Sequence, residues 1–192
     1  MLQTMGWFDQ RRDAAVRDRN SDSRRPTVAR IAMTWEAGHD QTEDAMIDHS
    51  HIGAETEEVS ILVEQSQLKL FCQATGETNA VFWDAEAARA AGLDAVPTPP
   101  TYAQTLLNLS PFRTNLVLDV MQVDLARMLH GEQAFEHHHP IRVGDTVRLK
   151  QRVADIYDKK GGALEFIVLE TVARNQDDVV CCTLKSVAVV RN

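Results

Sequence analysis

The stretch TVRLKQRVADIYDKKGGALEFIVLETVARNQDDVVCCTLKSVAVV, residues 146–190, decides the fold. Val147, Leu149, Gln151 and Val153 alternate with more polar neighbours and share one side of a strand, the period-2 pattern of a sheet with one buried face. Lys159 to Gly162 turns the chain, residues 163–172 return it, and Asn175 to Asp178 turns it again into residues 179–190. Three long strands joined by short turns predict an antiparallel meander. Working upstream, Gly144-Asp145 makes the turn before Val147, and residues 127–136 read as a further strand. An earlier strand runs from Val59 to Val63, with Val59, Ile61 and Val63 on one side.

Helices fill the space between these strands. Ser66 is placed to cap a short helix with Leu68, Phe71 and Ala74 inward. A loop, Gly76 to Asn79, follows it. Asp84 caps an alanine-rich helix that stops at Gly92, where a left-handed residue is natural. Pro97, Pro99 and Pro100 form a rigid, extended lead-in to a helix over residues 101–109. Tyr102, Ala103, Leu106 and Leu107 leave that helix few polar faces, so it is predicted to be buried. The parts assemble as an α+β fold, a curved antiparallel sheet wrapped around one central helix.

Composition narrows the function. The net charge of −8 gives no footprint for nucleic acid or for an anionic membrane. Cys72, Cys181 and Cys182 make a poor disulfide framework, and on a strand Cys181 and Cys182 point to opposite faces, as reduced and partly buried thiols. There is no C-x-x-C and no zinc spacing, and no apolar run long enough to cross a bilayer or to form a signal peptide, which predicts a cytoplasmic protein. From Asp9 to Arg30 arginines and aspartates interleave with few large apolar residues, so residues 1–45 read as a disordered tail or an over-long start, and residues 46–192 as the domain.

Several stretches, in this order, resemble the MaoC-like hydratase/dehydratase family of hot-dog proteins. Phe71 to Asn79 looks like the family's hydratase loop. Asp84 to Gly92 with Pro97 to Tyr102 looks like the lead-in to its central helix. Leu129-His130-Gly131-Glu132-Gln133 with His139 to Val147 looks like its following strand and its P-x-x-x-G-D turn. The closest branch is the non-catalytic half, as in the two-subunit (3R)-hydroxyacyl-ACP dehydratases. The resemblance implies a hot-dog fold and a ligand that is an acyl-CoA or acyl-carrier-protein thioester. It also implies a partner, either a catalytic hot-dog subunit or a second copy of this chain, and no cofactor.

The family's catalytic half reads G-D-x-N-P-x-H. Laid on this chain, Glu77 stands at the aspartate, Asn79 at the asparagine, Ala80 at the proline and Phe82 at the histidine. Hydration beside a thioester needs a base for water, a proton for the α-carbon and donors for the enolate-like oxygen. Glu77 keeps a carboxylate; Phe82 cannot move a proton, and Pro97, Pro99 and Pro100 have no N–H to donate. The candidate catalytic residues are therefore Glu77 and His130, with Asn79, Phe82, Pro100, Thr101 and Glu132 as substrate contacts. His130 and Glu132, two apart, are expected on one face of a strand, either toward ligand or as a buried polar pair. His137, His138 and His139 lie beside Pro140 and read as a solvated strand end rather than a metal site. Three functions remain: a partner subunit of an (R)-specific enoyl-thioester hydratase, a self-sufficient homodimer using Glu77 with His130, and a non-catalytic acyl-CoA-binding module.

Overall fold

In the computed structural model, residues 46–192 are described, and the reading of residues 1–45 lies outside them. The chain runs β1 (Val59–Leu62), α1 (Gln65–Thr75), α2 (Ala85–Ala90), α3 (Tyr102–Leu109), β2 (Met128–His137), β3 (Thr146–Lys159), β4 (Leu164–Arg174) and β5 (Val180–Arg191). The five strands form one antiparallel sheet in the order β1-β3-β4-β5-β2, and β3-β4-β5 is the expected meander. Gly144 at φ +91°, and Gly161 and Gly162 at +66° and +89°, supply the left-handed residues that its turns need. The edge strand β1 pairs Val59 with Leu149 and Ile61 with Val147.

Helix α1 differs from expectation at its start. Ser66 lies inside the first turn and is exposed; the N-cap is Glu64, whose side chain makes no capping bond. Val63, bonded to Asp145 and Gly144 through its backbone, delivers the chain straight into the helix, so no capping side chain sets its start. Leu68 and Cys72 form the buried stripe, while Phe71 is half-buried and Ala74 turns past it into solvent. The stop is as expected: Gly76 sits at φ +70°, and the Glu77 N–H returns to the Cys72 carbonyl at 2.8 Å. Asp84 caps α2 by accepting the Ala87 N–H at 2.7 Å.

Helix α3 lies on the inner face of the sheet with Tyr102, Ala103 and Leu106 buried; its last residue, Leu109, is exposed. The Phe71 and Tyr102 rings meet edge to face at 5.1 Å. Around these residues one apolar cluster forms, with Leu68, Val147, Leu149, Ala173 and Leu184. A second cluster joins Leu116, Val117, Val153, Ile156, Ile167, Leu169 and Val190. Cys181 and Cys182 both belong to the first cluster, contrary to the opposite-face reading. The reason is a bulge: Ala173 pairs with Cys182 and Arg174 with Val180, which leaves Cys181 as the extra residue. No helix among the described residues is long and apolar enough to cross a membrane.

Candidate functional site

A second bulge sets the geometry of the site. Along β2, Leu129 pairs with Val189 and His130 with Ala188, but Glu132 pairs with Val187 and Gln133 with Ser186. Gly131 is thus the extra residue, and inside-out alternation slips by one across it. His130 consequently shares the inner face with Met128 and Gln133, while Glu132 is exposed on the outer face. The shared face expected for His130 and Glu132 is therefore corrected, and they are not a buried pair. A side chain at Gly131 would collide with the neighbouring strand, since an added Cβ would lie 2.6 Å from Val189 Cγ2 and 3.3 Å from the Val187 oxygen.

The inner face carries two staggered polar pairs, Gln151 facing Thr171 and Gln133 facing Ser186. On β3, Gln151 lies between Val147 and Leu149 of one apolar cluster and Val153 and Ile156 of the other. On β4, Thr171 separates Ala173 from Leu169, and on β5, Ser186 separates Leu184 from Ala188. On β2, His130 and Gln133 separate Phe135 from Met128. Gln151 Nε2 donates to the buried Thr171 hydroxyl at 3.1 Å. Between the two clusters lies a cavity of about 640 Å³, lined by Gln151, Ser186, Gln133 and His130 of the sheet, by Gln104 and Asn108 of α3, by Arg113 to Asn115, and by the apolar Leu107, Phe112, Met128 and Leu169.

The segment after α3 forms one side of this cavity. Residues Leu116–Val120 make a π turn whose Val117 and Asp119 also line the cavity. Asn115 fixes it: its side-chain oxygen accepts from the N–H groups of Val117 and Leu118, both at 2.9 Å. Asp119 completes the loop by accepting the Asn115 N–H at 2.7 Å. The Arg113 N–H donates to Glu57 at 2.6 Å, and that bond holds the Glu57 carboxyl below its ordinary value. Among the described residues, three shielded side-chain atoms have no hydrogen-bond partner, and two of them, Gln104 Oε1 and Gln133 Oε1, belong to side chains of this wall.

The hydratase-like loop lies elsewhere. Glu77 accepts the Asn79 N–H at 2.7 Å, and Asn79 accepts the Val81 N–H at 3.2 Å, so both side chains shape the loop. Phe82 is half-buried against the first apolar cluster. None of the three lines the large cavity. Pro100 and Thr101 are exposed at the start of α3, and Pro100 borders a smaller depression of about 280 Å³ with His137, His138 and His139. The seven residues singled out in the sequence thus fall at four places: the loop, the helix start, the cavity wall and the outer face. His138 Nε2 lies 3.3 Å from the Thr183 hydroxyl and the His137 ring stacks on Phe135. Among the described residues no group of three His, Cys, Asp or Glu is placed to hold a metal ion.

Gln104, Asn115, Gln133, Gln151 and Ser186 are not singled out by the sequence. Their one local signal is Gly131, since a glycine inside a strand marks a bulge or a close approach.

Comparison with known proteins adds three likenesses. The family model described as "FAS1-like, dehydratase domain region" matches residues 50–184. A UPF0336 protein of Saccharopolyspora erythraea is 32% identical over 146 residues, which is 76% of this chain and 92% of that protein. Among solved structures, the C-terminally truncated HadBC complex of Mycobacterium tuberculosis, a 3R-hydroxyacyl-ACP dehydratase, superposes with a TM-score of 0.60 at 21% identity, covering 72% of this chain and 96% of that one. A MaoC-like dehydratase superposes with a TM-score of 0.65 at 21% identity, over 74% of this chain and 43% of that one.

Proposed function

This chain belongs to the family of FAS1-like dehydratase regions and has the hot-dog fold, and we propose that it is the half of an (R)-specific enoyl-thioester hydratase that lacks the proton-transferring histidine. It pairs in the cytoplasm with a catalytic hot-dog chain, through the domain formed by residues 46–192, and acts on an acyl-CoA or acyl-carrier-protein thioester. The observation that carries this reading is Phe82. At the loop position where the acid/base is needed stands a phenyl ring packed on the core. Loss of a general acid/base costs about 10²- to 10⁴-fold in rate, so a partner's histidine must supply it. Glu77 is occupied by the Asn79 N–H, and Pro99 and Pro100 bring no N–H to the start of α3.

Two further features support a partner. The ten-residue β2 is an edge strand, an unpaired row of backbone groups that a second hot-dog chain can cover. HadBC, whose chain has the same fold, is a complex. The homodimer reading keeps one favourable observation, that His130 turns into the cavity; within one chain, however, Glu77 does not line that cavity with it.

The test is hydration of an enoyl-CoA, followed by loss of the conjugated-thioester absorbance. The purified chain is assayed alone and then with a hot-dog partner carrying an intact G-D-x-N-P-x-H loop. Activity is expected only in the mixture. Turnover by the chain alone, abolished by Glu77→Gln, would replace this reading with the homodimer. Acyl-CoA binding without turnover in any mixture would leave a binding module.

A further inference from the structure

Helix α3 packs on the inner face of the sheet, and the outer face carries an apolar row that the hydratase reading does not use. Tyr157 pairs with Phe166, Phe166 with Val189, and Val189 with Leu129, so one level crosses four adjacent strands from β3 through β4 and β5 to β2. Tyr157, Phe166 and Val189 are half-buried, and Leu129 is 54% exposed. The two rings stack with centres 4.9 Å apart and planes 3° from parallel. Lys159 Nζ sits over them, 4.7 Å from the centre of the Phe166 ring. The outer face of an antiparallel sheet is ordinarily polar where it meets water. Four apolar side chains in register instead make a contiguous patch, and such a patch favours cover.

The charges beside the row indicate what covers it. The level on one side is basic, with Lys159 on β3, Arg191 on β5 and Leu164 between them. The level on the other side is acidic, with Asp155 on β3, Glu132 on β2, and Val168 and Val187 between them. All four charged residues are exposed. One level further along, Arg152 is already paired with Glu170 of the same chain at 2.8 Å. We propose that a second copy of this chain covers the row, face to face, about a two-fold axis running along it. That axis sets the basic level of each copy against the acidic level of the other, so Lys159 meets Asp155 and Arg191 lies toward Glu132. A two-fold axis parallel to the strands would set acidic on acidic, and a partner of one sign would be repelled by one of the two levels. Packed sheets cross at about 30°, so the match is between bands of charge rather than atom by atom. Four strands by three levels cover roughly 400 Å² in projection. A standard interface buries about 800 Å² per partner, so the dimer is weak and concentration-dependent. The contact uses the face of the sheet and leaves the backbone edge of β2 to the hot-dog partner proposed above.

Sedimentation velocity of the full chain, from about 5 to 500 µM, tests this. The mass of the starting species is expected to double reversibly with concentration, whether that species is one copy or two copies already joined along β2. Phe166→Glu is expected to abolish the doubling. Lys159→Glu and Asp155→Lys are each expected to weaken it about three- to tenfold, because each sets like charges together at two symmetry-related places. The double variant is expected to recover most of that loss, since it restores opposite charges across the axis. Within one copy the two residues are two levels apart, roughly 13 Å along β3 and too far to pair, so a role confined to one chain would show no such rescue. Circular dichroism confirms that each variant folds, and the exposed charge pair carries the test should Phe166→Glu fail to fold. A mass that stays constant across the range, as it would with any other occupant on the row, overturns the proposal. So does a doubling that Phe166→Glu leaves intact, or a double variant no better than the single ones. None of these outcomes depends on turnover, so the hydratase reading stands or falls separately.

Discussion

The bulge at Gly131 decides which face His130 occupies, and a single methyl group probes it. The perturbation is Gly131→Ala. The added Cβ would lie 2.6 Å from Val189 Cγ2, whereas carbon atoms rest at about 3.5–4.0 Å, so roughly 1 Å of movement is required. Val189 cannot yield it freely, since a β-branched side chain has few accessible χ1 rotamers. On the other side stands the Val187 backbone oxygen, at 3.3 Å. The remaining relief is a shift of the edge strand β2 away from β5. Overpacking of this kind costs about 1–3 kcal/mol. In a domain of this size it lowers Tm by roughly 2–4 °C for each kcal/mol. Equilibrium urea unfolding of the wild type, Gly131→Ala, Val189→Ala and the double variant measures it as a cycle. Val189→Ala removes the colliding methyl group, so Gly131→Ala is expected to cost less than half as much in that background. An unchanged midpoint for Gly131→Ala, or an undiminished cost in the Val189→Ala background, would refute the close approach and with it the inward placement of His130.

Two other predictions test the interior. Burial pushes the Cys182 thiol up to about 11 from an ordinary 9.0, and raises Cys72 and Cys181 in the same direction. The folded value lies above the unfolded one, so the stability held by the neutral thiol is complete below about pH 9 and is lost as pH rises toward 11. Unfolding free energy is expected to decline across that window and to decline less in Cys182→Ala; an identical slope would contradict the burial. The buried Glu165 carboxylate accepts the Ile47 N–H and the Asn192 side-chain amide, both at 2.7 Å. Glu165→Leu removes the acceptor of both bonds, leaving Asn192 only its bond to the Gly162 carbonyl, and a loss of about 1–3 kcal/mol is expected in the same urea assay, with a neutral result counting against the clasp.

What could be read from the sequence follows the range of the forces involved. The alternation of Val147, Leu149 and Val153 is a local consequence of one buried face, and the glycines at 144, 161 and 162 mark turns through a local backbone need. The Asp84 cap and the proline lead-in to α3 are equally local. Ser66 misled because a capping residue only offers a hydrogen bond; the chain path out of Val63 decided where α1 began. Cys181 and the pair His130 and Glu132 misled for one shared reason. A bulge inserts a residue according to the fit between two strands, so period-2 counting fails across it. The facing pairs Gln151–Thr171 and Gln133–Ser186 are further from view, because they exist only after four strands have found register.

The cavity itself follows from a mismatch of lengths. Helix α3 has eight residues and spans about 12 Å. Strand β3 has fourteen and runs for roughly 46 Å. A helix that short covers part of the inner face, around Leu149 and Leu184, and the rest must be covered by irregular chain. The π turn held by Asn115 does so at the far end, where Leu116 and Val117 close over Val153 and Ile167. Between the two covers lies the cavity, whose wall mixes amides and hydroxyls with Leu107, Phe112, Met128 and Leu169. Water can satisfy the polar part of that wall, and an apolar group can pack on the rest. Two short covers over one long sheet therefore create a gap, and the side chains that line it restrict what can fill it.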